Sequence, residues 1–136
     1  MSNTPTYWNA AKKYLSKKDK VMSSLISKYK SPSEKILTTR KDVFFSLCKS
    51  IIGQQISVAA ANSVFLRFKK KCKNQINAKT VNTLSFAQLK SCGLSKQKVK
   101  GIQSLSKQIL DKSFNPRIIS KMSDEDAILY LSQLRQ

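Results

Sequence analysis

Histidine is absent from this 136-residue chain, and glycine, proline and cysteine occur only three times each. Without histidine there is no Ser-His-Asp or Cys-His catalytic arrangement, and the commonest zinc ligand is gone. Cys48, Cys72 and Cys92 are odd in number and widely spaced. They match no disulfide framework, zinc site or iron-sulfur spacing, and thiols of this kind are expected in a reducing cytoplasm. No apolar run approaches the roughly 18 residues of a membrane span, and the polar N-terminus carries no secretory signal. Acidic residues are scarce too, with 7 Asp plus Glu against 26 Lys plus Arg for a formal net charge of +19.

The distribution of that charge says more than its size. Between Val43 and Leu110 there are twelve basic residues and no acidic one, so this interval has no carboxylate for acid–base chemistry. A lysine-favouring genome would raise the basic count, since 22 of the 26 basic residues are lysine, but it would leave Asp and Glu in place. The surface therefore suits a polyanion. Nucleic acid is the leading partner, and an anionic membrane surface is a distant second.

With 40% apolar residues and so few helix breakers, the chain reads as helix-rich and globular. Periodicity predicts two short helices in the first 30 residues, Thr6 to Ser16 and Lys18 to Tyr29, with Leu15, Met22, Leu25 and Ile26 as buried candidates. "KSPSEKILTTRK" follows as a connector over 31–41. Asp42 is a plausible N-cap for a helix whose stripe Phe44, Leu47, Cys48, Ile51 and Ile52 ends at Gly53. Ser57 can cap the next helix, with Ala61, Val64, Phe65 and Phe68 inward. Ser85 followed by Gln88 resembles a capping box for "SFAQLKSCG", which Gly93 should close as a left-handed residue. Ser95 opens a long helix with Val99, Ile102, Leu105 and Ile109 toward the core. After the break at Asn115-Pro116, Ser123 precedes an acidic first turn, Asp124-Glu125-Asp126. That cluster reads as a helix N-terminus rather than a catalytic pair. The expectation is an all-α orthogonal bundle of about seven or eight short helices, with 1–30 as N-terminal helices, 31–41 as a connector and 42–136 as the first part of a helical domain.

Two interhelical corners depart from regular helix. Gly53-Gln54-Gln55 interrupts an apolar run that resumes at Ser57, and "SCGLSKQK" separates two further helices. Each has a glycine where a partner's backbone can approach, a residue able to protrude (Gln55, Leu94) and a serine at a helix N-terminus (Ser57, Ser95). Side chains wedged into a duplex from the minor groove unstack and kink it, which gives this pair of corners the form of a clamp. Both segments also fit plain turns: an interhelical link in one case, a Schellman stop followed by a new cap in the other. The lysines of "RFKKKCK" fit helix capping as well as phosphate contact.

"FFSLCKSIIGQQISVAAANSVFLRF" resembles the opening signature of the helix-hairpin-helix DNA glycosylases, in particular the 3-methyladenine DNA glycosylase II branch. "YWNAAKKYLSKKDKVMSSLISKY" is similar to the N-terminal helices of those enzymes, and "LKSCGLSKQKVKGIQSLS" to their second DNA-facing loop. The resemblance covers residues 7 to 134. It implies a monofunctional hydrolase that flips alkylated purines out of double-stranded DNA and cleaves the N-glycosidic bond, acting as a monomer without metal or other cofactor. It places Gln55, with Gln54 beside it, where relatives carry the wedge that fills the space of the flipped nucleotide. Leu94 corresponds to a second plug whose turn Gly93 and Ser95 shape, and Lys96 and Lys98 would lie near the DNA backbone. The N-terminal helices would pack on C-terminal helices that relatives possess.

The family pattern continues with a Gly-x-Gly hairpin, Trp-Thr-Ala and a catalytic aspartate, none of which occurs before Gln136. The expectation is thus the N-terminal part of an alkylbase DNA glycosylase, inactive alone, cytoplasmic, and nucleoid-associated if prokaryotic. The competing expectations are a non-catalytic basic helical module that binds distorted or abasic duplex, and a lysine-rich helical protein with no DNA role.

Overall fold

Short capped helices make up the structure, a computed structural model that describes residues 5–30 and 42–134. The connector expected over 31–41 lies outside the described residues. The chain divides into two units, Met1–Lys41 and Asp42–Gln136.

In the first unit α1 (Trp8–Lys18) and α2 (Lys20–Lys28) pack on each other. Asp19 makes the corner: its extended backbone ends α1, and its carboxylate accepts the Met22 N–H at 2.9 Å to open α2. The four expected core residues are not buried. Leu15 and Leu25 are 38% and 44% exposed, and with Met22, Ile26, Trp8 and Tyr29 they line an open apolar groove. Two helices of 11 and 9 residues have too little surface to enclose an apolar face by themselves.

The second unit runs α3 (Val43–Gly53), α4 (Val58–Lys71), α5 (Ala78–Asn82), α6 (Phe86–Lys90), α7 (Lys96–Leu110), a 3-10 helix (Pro116–Lys121) and α8 (Asp124–Ser132). The expected caps are in place. Asp42, Ser57, Ser95 and Ser123 each accept the N–H three residues on, and Ser85 and Gln88 bond reciprocally as a capping box. Residue spacing does not announce α5 or the 3-10 helix, which are too short for a periodic stripe to emerge. Their signals are the local caps Asn77 and Asn115 and the proline at the first position of the 3-10 helix.

At the centre is α7, which packs against α3, α5 and α6, while α4 covers α3 and α6. The predicted stripes supply the core. Phe44, Cys48, Ile51 and Ile52 come from α3, Val64 and Phe68 from α4, and Val99, Ile102 and Leu105 from α7. Leu47, Phe65 and Ile109 are partly buried against them. Each fully enclosed side chain of this size contributes about 1.5–3 kcal/mol by leaving water. Buried Ser106 satisfies its hydroxyl on the Ala78 carbonyl, which ties α7 to α5. Phe114 stacks on Tyr130 at 5.0 Å, and the Asn115 N–H donates to the Tyr130 hydroxyl oxygen at 2.8 Å; these contacts seat α8. Among the described residues the fold is all helical, in line with the expected bundle.

Candidate nucleic-acid interface

Loop 1 (residues 53–57) leaves α3 where Ile51 and Ile52 anchor that helix in the core. A Cβ added at Gly53 would meet only Ala61 Cβ, at an ordinary 4.0 Å, so neither packing nor backbone conformation demands glycine there. The left-handed residue is instead Gln55, at φ 56°, and its side chain is exposed. A non-glycine residue held in this region costs about 1–2 kcal/mol, and such strain concentrates at functional loops. Ser57 then caps α4, its hydroxyl accepting the Ala60 N–H at 3.2 Å.

Loop 2 (residues 91–95) turns on Gly93, which has the expected left-handed backbone at φ +96°. A Cβ there would come within 2.9 Å of Arg67 Nη2 and 3.4 Å of Val64 Cγ2. Two cations hold the carbonyls of the loop: Arg67 Nε donates to Cys92 O at 2.8 Å and Lys90 Nζ to Leu94 O at 3.0 Å. Ser95 caps α7 by accepting the Lys98 N–H at 3.2 Å.

Leu94 does not protrude. It is 1% exposed and belongs to the apolar core, which corrects the expectation of a second plug. Next to a left-handed glycine, a leucine at the end of one helix and the start of another either points out or closes the core. Here the neighbouring apolar faces of the bundle enclose it.

Lys98 joins the two loops. Its ammonium, at the start of α7, donates to Ile52 O at 2.9 Å and Gln54 O at 2.7 Å, satisfying carbonyls at the C-terminal end of α3. Two of the ammonium's three N–H donors thus bind protein carbonyls, which gives Lys98 a structural role beside its expected place near a DNA backbone. Lys96 is exposed in the first turn of α7. Together the loops frame a cleft of about 400 Å³ lined by Ile51, Gln54, Gln55, Ser95, Gln97 and Lys98. Gln54, Gln55 and Ser95, predicted from sequence, thus meet at one place, while Gly93 and Ser57 shape the turns behind it. Sequence reasoning missed Arg67 and Lys90. Arg67 had a readable signal as the lone arginine among the twelve basic residues of Val43–Leu110, since a guanidinium fork suits fixed acceptors better than an ammonium does.

The thiols take no part in this cleft. Burial pushes Cys72 up to about 11, with the neighbouring Cys92 adding to the shift, and burial pushes Cys48 and Cys92 in the same direction. Protonated thiols of this kind are inert. Among the described residues no cluster of three or more His, Cys, Asp or Glu is placed to hold a metal ion, and no helix is long and apolar enough to cross a membrane.

Residues 48–133 match the family model described as HhH-GPD superfamily base excision DNA repair protein. The chain belongs to this superfamily. Over 132 residues it is 27% identical to the alkylbase DNA glycosidase-like protein mag2 of Schizosaccharomyces pombe, covering 94% of this chain and 62% of that protein. Two solved structures share its fold. One is the 3-methyladenine DNA glycosylase Mag1 of S. pombe in complex with abasic DNA, at TM-score 0.81 and 22% identity, covering 93% of this chain and 63% of that one. The other is the DNA-3-methyladenine glycosidase of Bacillus halodurans, at TM-score 0.68 and 22% identity, covering 74% and 47%. The chain thus spans less than two thirds of the length of these proteins.

Proposed function

We propose that this chain is the lesion-probing part of a base excision DNA glycosylase of the 3-methyladenine type, with double-stranded DNA carrying alkylated bases as its partner. The observation that carries the reading is Gln55: exposed, held at φ 56°, and placed at the mouth of the two-loop cleft by a backbone that Lys98 ties down. A wedge has to keep its position while it displaces a base pair, and a pre-ordered loop lowers the entropic cost of doing so. The amide can also donate to and accept from the base left unpaired. The family, the similarity to an alkylbase glycosidase-like protein and the fold shared with a glycosylase bound to abasic DNA support the same assignment.

Hydrolysis of the glycosidic bond passes through a cationic sugar that needs a nearby negative charge. Among the described residues the two-loop cleft has no carboxylate in its lining. In this proposal the chain recognises and distorts DNA, and bond cleavage awaits a carboxylate from outside the cleft. The same lining favours the second reading, a module that binds abasic or distorted duplex without chemistry. The two part on a single assay, release of methylated purines from alkylated DNA. Turnover by the chain alone supports the enzyme reading, with the carboxylate supplied from this chain outside the cleft, and refutes the binding-only module. Buried free thiols at Cys48, Cys72 and Cys92 are in keeping with a reducing, cytoplasmic setting.

The wedge is tested by binding to a duplex with a tetrahydrofuran abasic analogue and to the intact duplex. The wild type should prefer the abasic duplex, and Gln55→Gly should remove the preference. Glycine relieves the left-handed backbone but is more flexible unfolded, so fold stability should change by less than about 1 kcal/mol. A variant that keeps the full preference sinks the assignment of Gln55.

A further inference from the structure

The last turns of α4 place like charges side by side. Arg67, Lys70 and Lys71 are related by i, i+3 and i+4 and so share one face of the helix. With Lys73, Ser91 and Cys92 they line a second cleft of about 470 Å³. Lys73 joins them because the chain turns back through two consecutive left-handed residues, Lys73 at φ 52° and Asn74 at φ 62°. Helix capping would account for the last-turn residues Lys69, Lys70 and Lys71. It does not account for a cleft that leaves out Lys69 and includes Arg67 and Lys73. Among the described residues no acidic side chain lines the cleft, so like charges face each other across it. Arg67 is already fixed by its bond to the Cys92 carbonyl. Its charge and that of Lys71 both oppose the upward push that burial exerts on the Cys92 thiol, so positive potential converges on the floor of the cleft.

Loop 2 and the start of α7 lie between the two clefts: Ser91 and Cys92 line the cationic one, while Ser95, Gln97 and Lys98 line the one that holds Gln55. We infer that the Arg67–Lys70–Lys71–Lys73 cleft is a phosphodiester-binding groove that grips the backbone of duplex DNA on the far side of loop 2 from the Gln55 wedge. This rests on the reading of the chain as DNA-binding. The groove supplies affinity indifferent to sequence and lesion, whereas Gln55 supplies discrimination.

The test is the salt dependence of duplex binding by the full chain. Each phosphate contact contributes about 0.9 to the slope of log affinity against log salt. The variant Lys70→Gln/Lys71→Gln/Lys73→Gln should lower the magnitude of that slope by about 2 to 3, with the abasic-to-intact preference unchanged. A matched variant, Lys13→Gln/Lys17→Gln/Lys20→Gln, removes the same charge from α1 and α2 and should lower it by less than about 1. A second measurement needs no substitution: bound duplex should protect Lys70, Lys71 and Lys73 from acetylation and leave Lys13 and Lys17 reactive. Equal slopes for the two variants, or equal acetylation with and without DNA, overturn the groove. If the wild type binds duplex and prefers the abasic site, such a result removes the groove and leaves the proposed function standing. If the wild type binds no duplex, both fall.

Discussion

Lys98 Nζ lies 2.7 Å from the Gln54 carbonyl, 44 residues earlier in the chain, and 2.9 Å from that of Ile52. One ammonium thereby closes α3 and couples both loops. Charge-assisted hydrogen bonds to partly buried carbonyls are worth about 1.5–3 kcal/mol. Lys98→Met keeps the apolar stem and loses both bonds, so it should lower unfolding stability in urea by about 1–3 kcal/mol. Amide exchange at Gln55 and Ile56 should rise with it. Unchanged exchange there would show that loop 1 is held by something else.

Leu94 closes the core behind loop 2. Leu94→Ala should cost about 2–4 kcal/mol in a denaturant titration, the usual range for a truncated core leucine. A loss below about 0.5 kcal/mol, the level of an ordinary surface substitution, would return this side chain to the surface and revive its role as a plug. Because the expected loss is global, weakened DNA binding by this variant says nothing about a wedge.

Gly93→Ala combines a backbone penalty with a steric one. Its φ of +96° is unfavourable for any Cβ, and the new atom would sit 2.9 Å from Arg67 Nη2. The guanidinium is the far end of a flexible chain, so it moves aside at the expense of its hold on Cys92 O. A loss of about 1–2 kcal/mol in thermal unfolding is expected. In an Arg67→Ala background the steric part disappears and the backbone part remains, so the two changes should be less than additive. Full additivity would separate Arg67 from the turn.

The buried thiols make stability fall on the alkaline side. Cys72 ionises near 9.0 when unfolded and only near about 11 when folded, chiefly through burial. A raised folded value means that its contribution is complete below pH 9 and is lost as pH climbs from 9 through about 11. The melting temperature of the wild type should therefore drop more steeply between about pH 8.5 and 10.5 than that of Cys72→Ala. Lysine titration is common to both proteins and cancels in the comparison. Parallel curves would mean that the thiol is not enclosed.

Exposed side chains on α8 and the open α1–α2 groove explain why burial was harder to read than helicity. Ile128 and Leu129 are apolar yet 67% and 64% exposed. Leu94, placed in a turn by its neighbours, is interior. A helical period tells which residues share a face, but it does not say whether another element covers that face.

Local order alone determined the helices and their caps. The Asp42, Ser57, Ser85, Ser95 and Ser123 side chains bond N–H groups three positions on, a distance the chain spans in any fold. The absence of acid from Val43 to Leu110 was likewise legible. Tertiary structure decided that Leu94 faces inward, that Lys98 spends its charge on carbonyls of α3, and that Arg67 lies over Gly93. These outcomes depend on which helix packs against which, because partners 25 to 46 residues apart come within hydrogen-bond reach only once α3, α4, α6 and α7 have closed around one core.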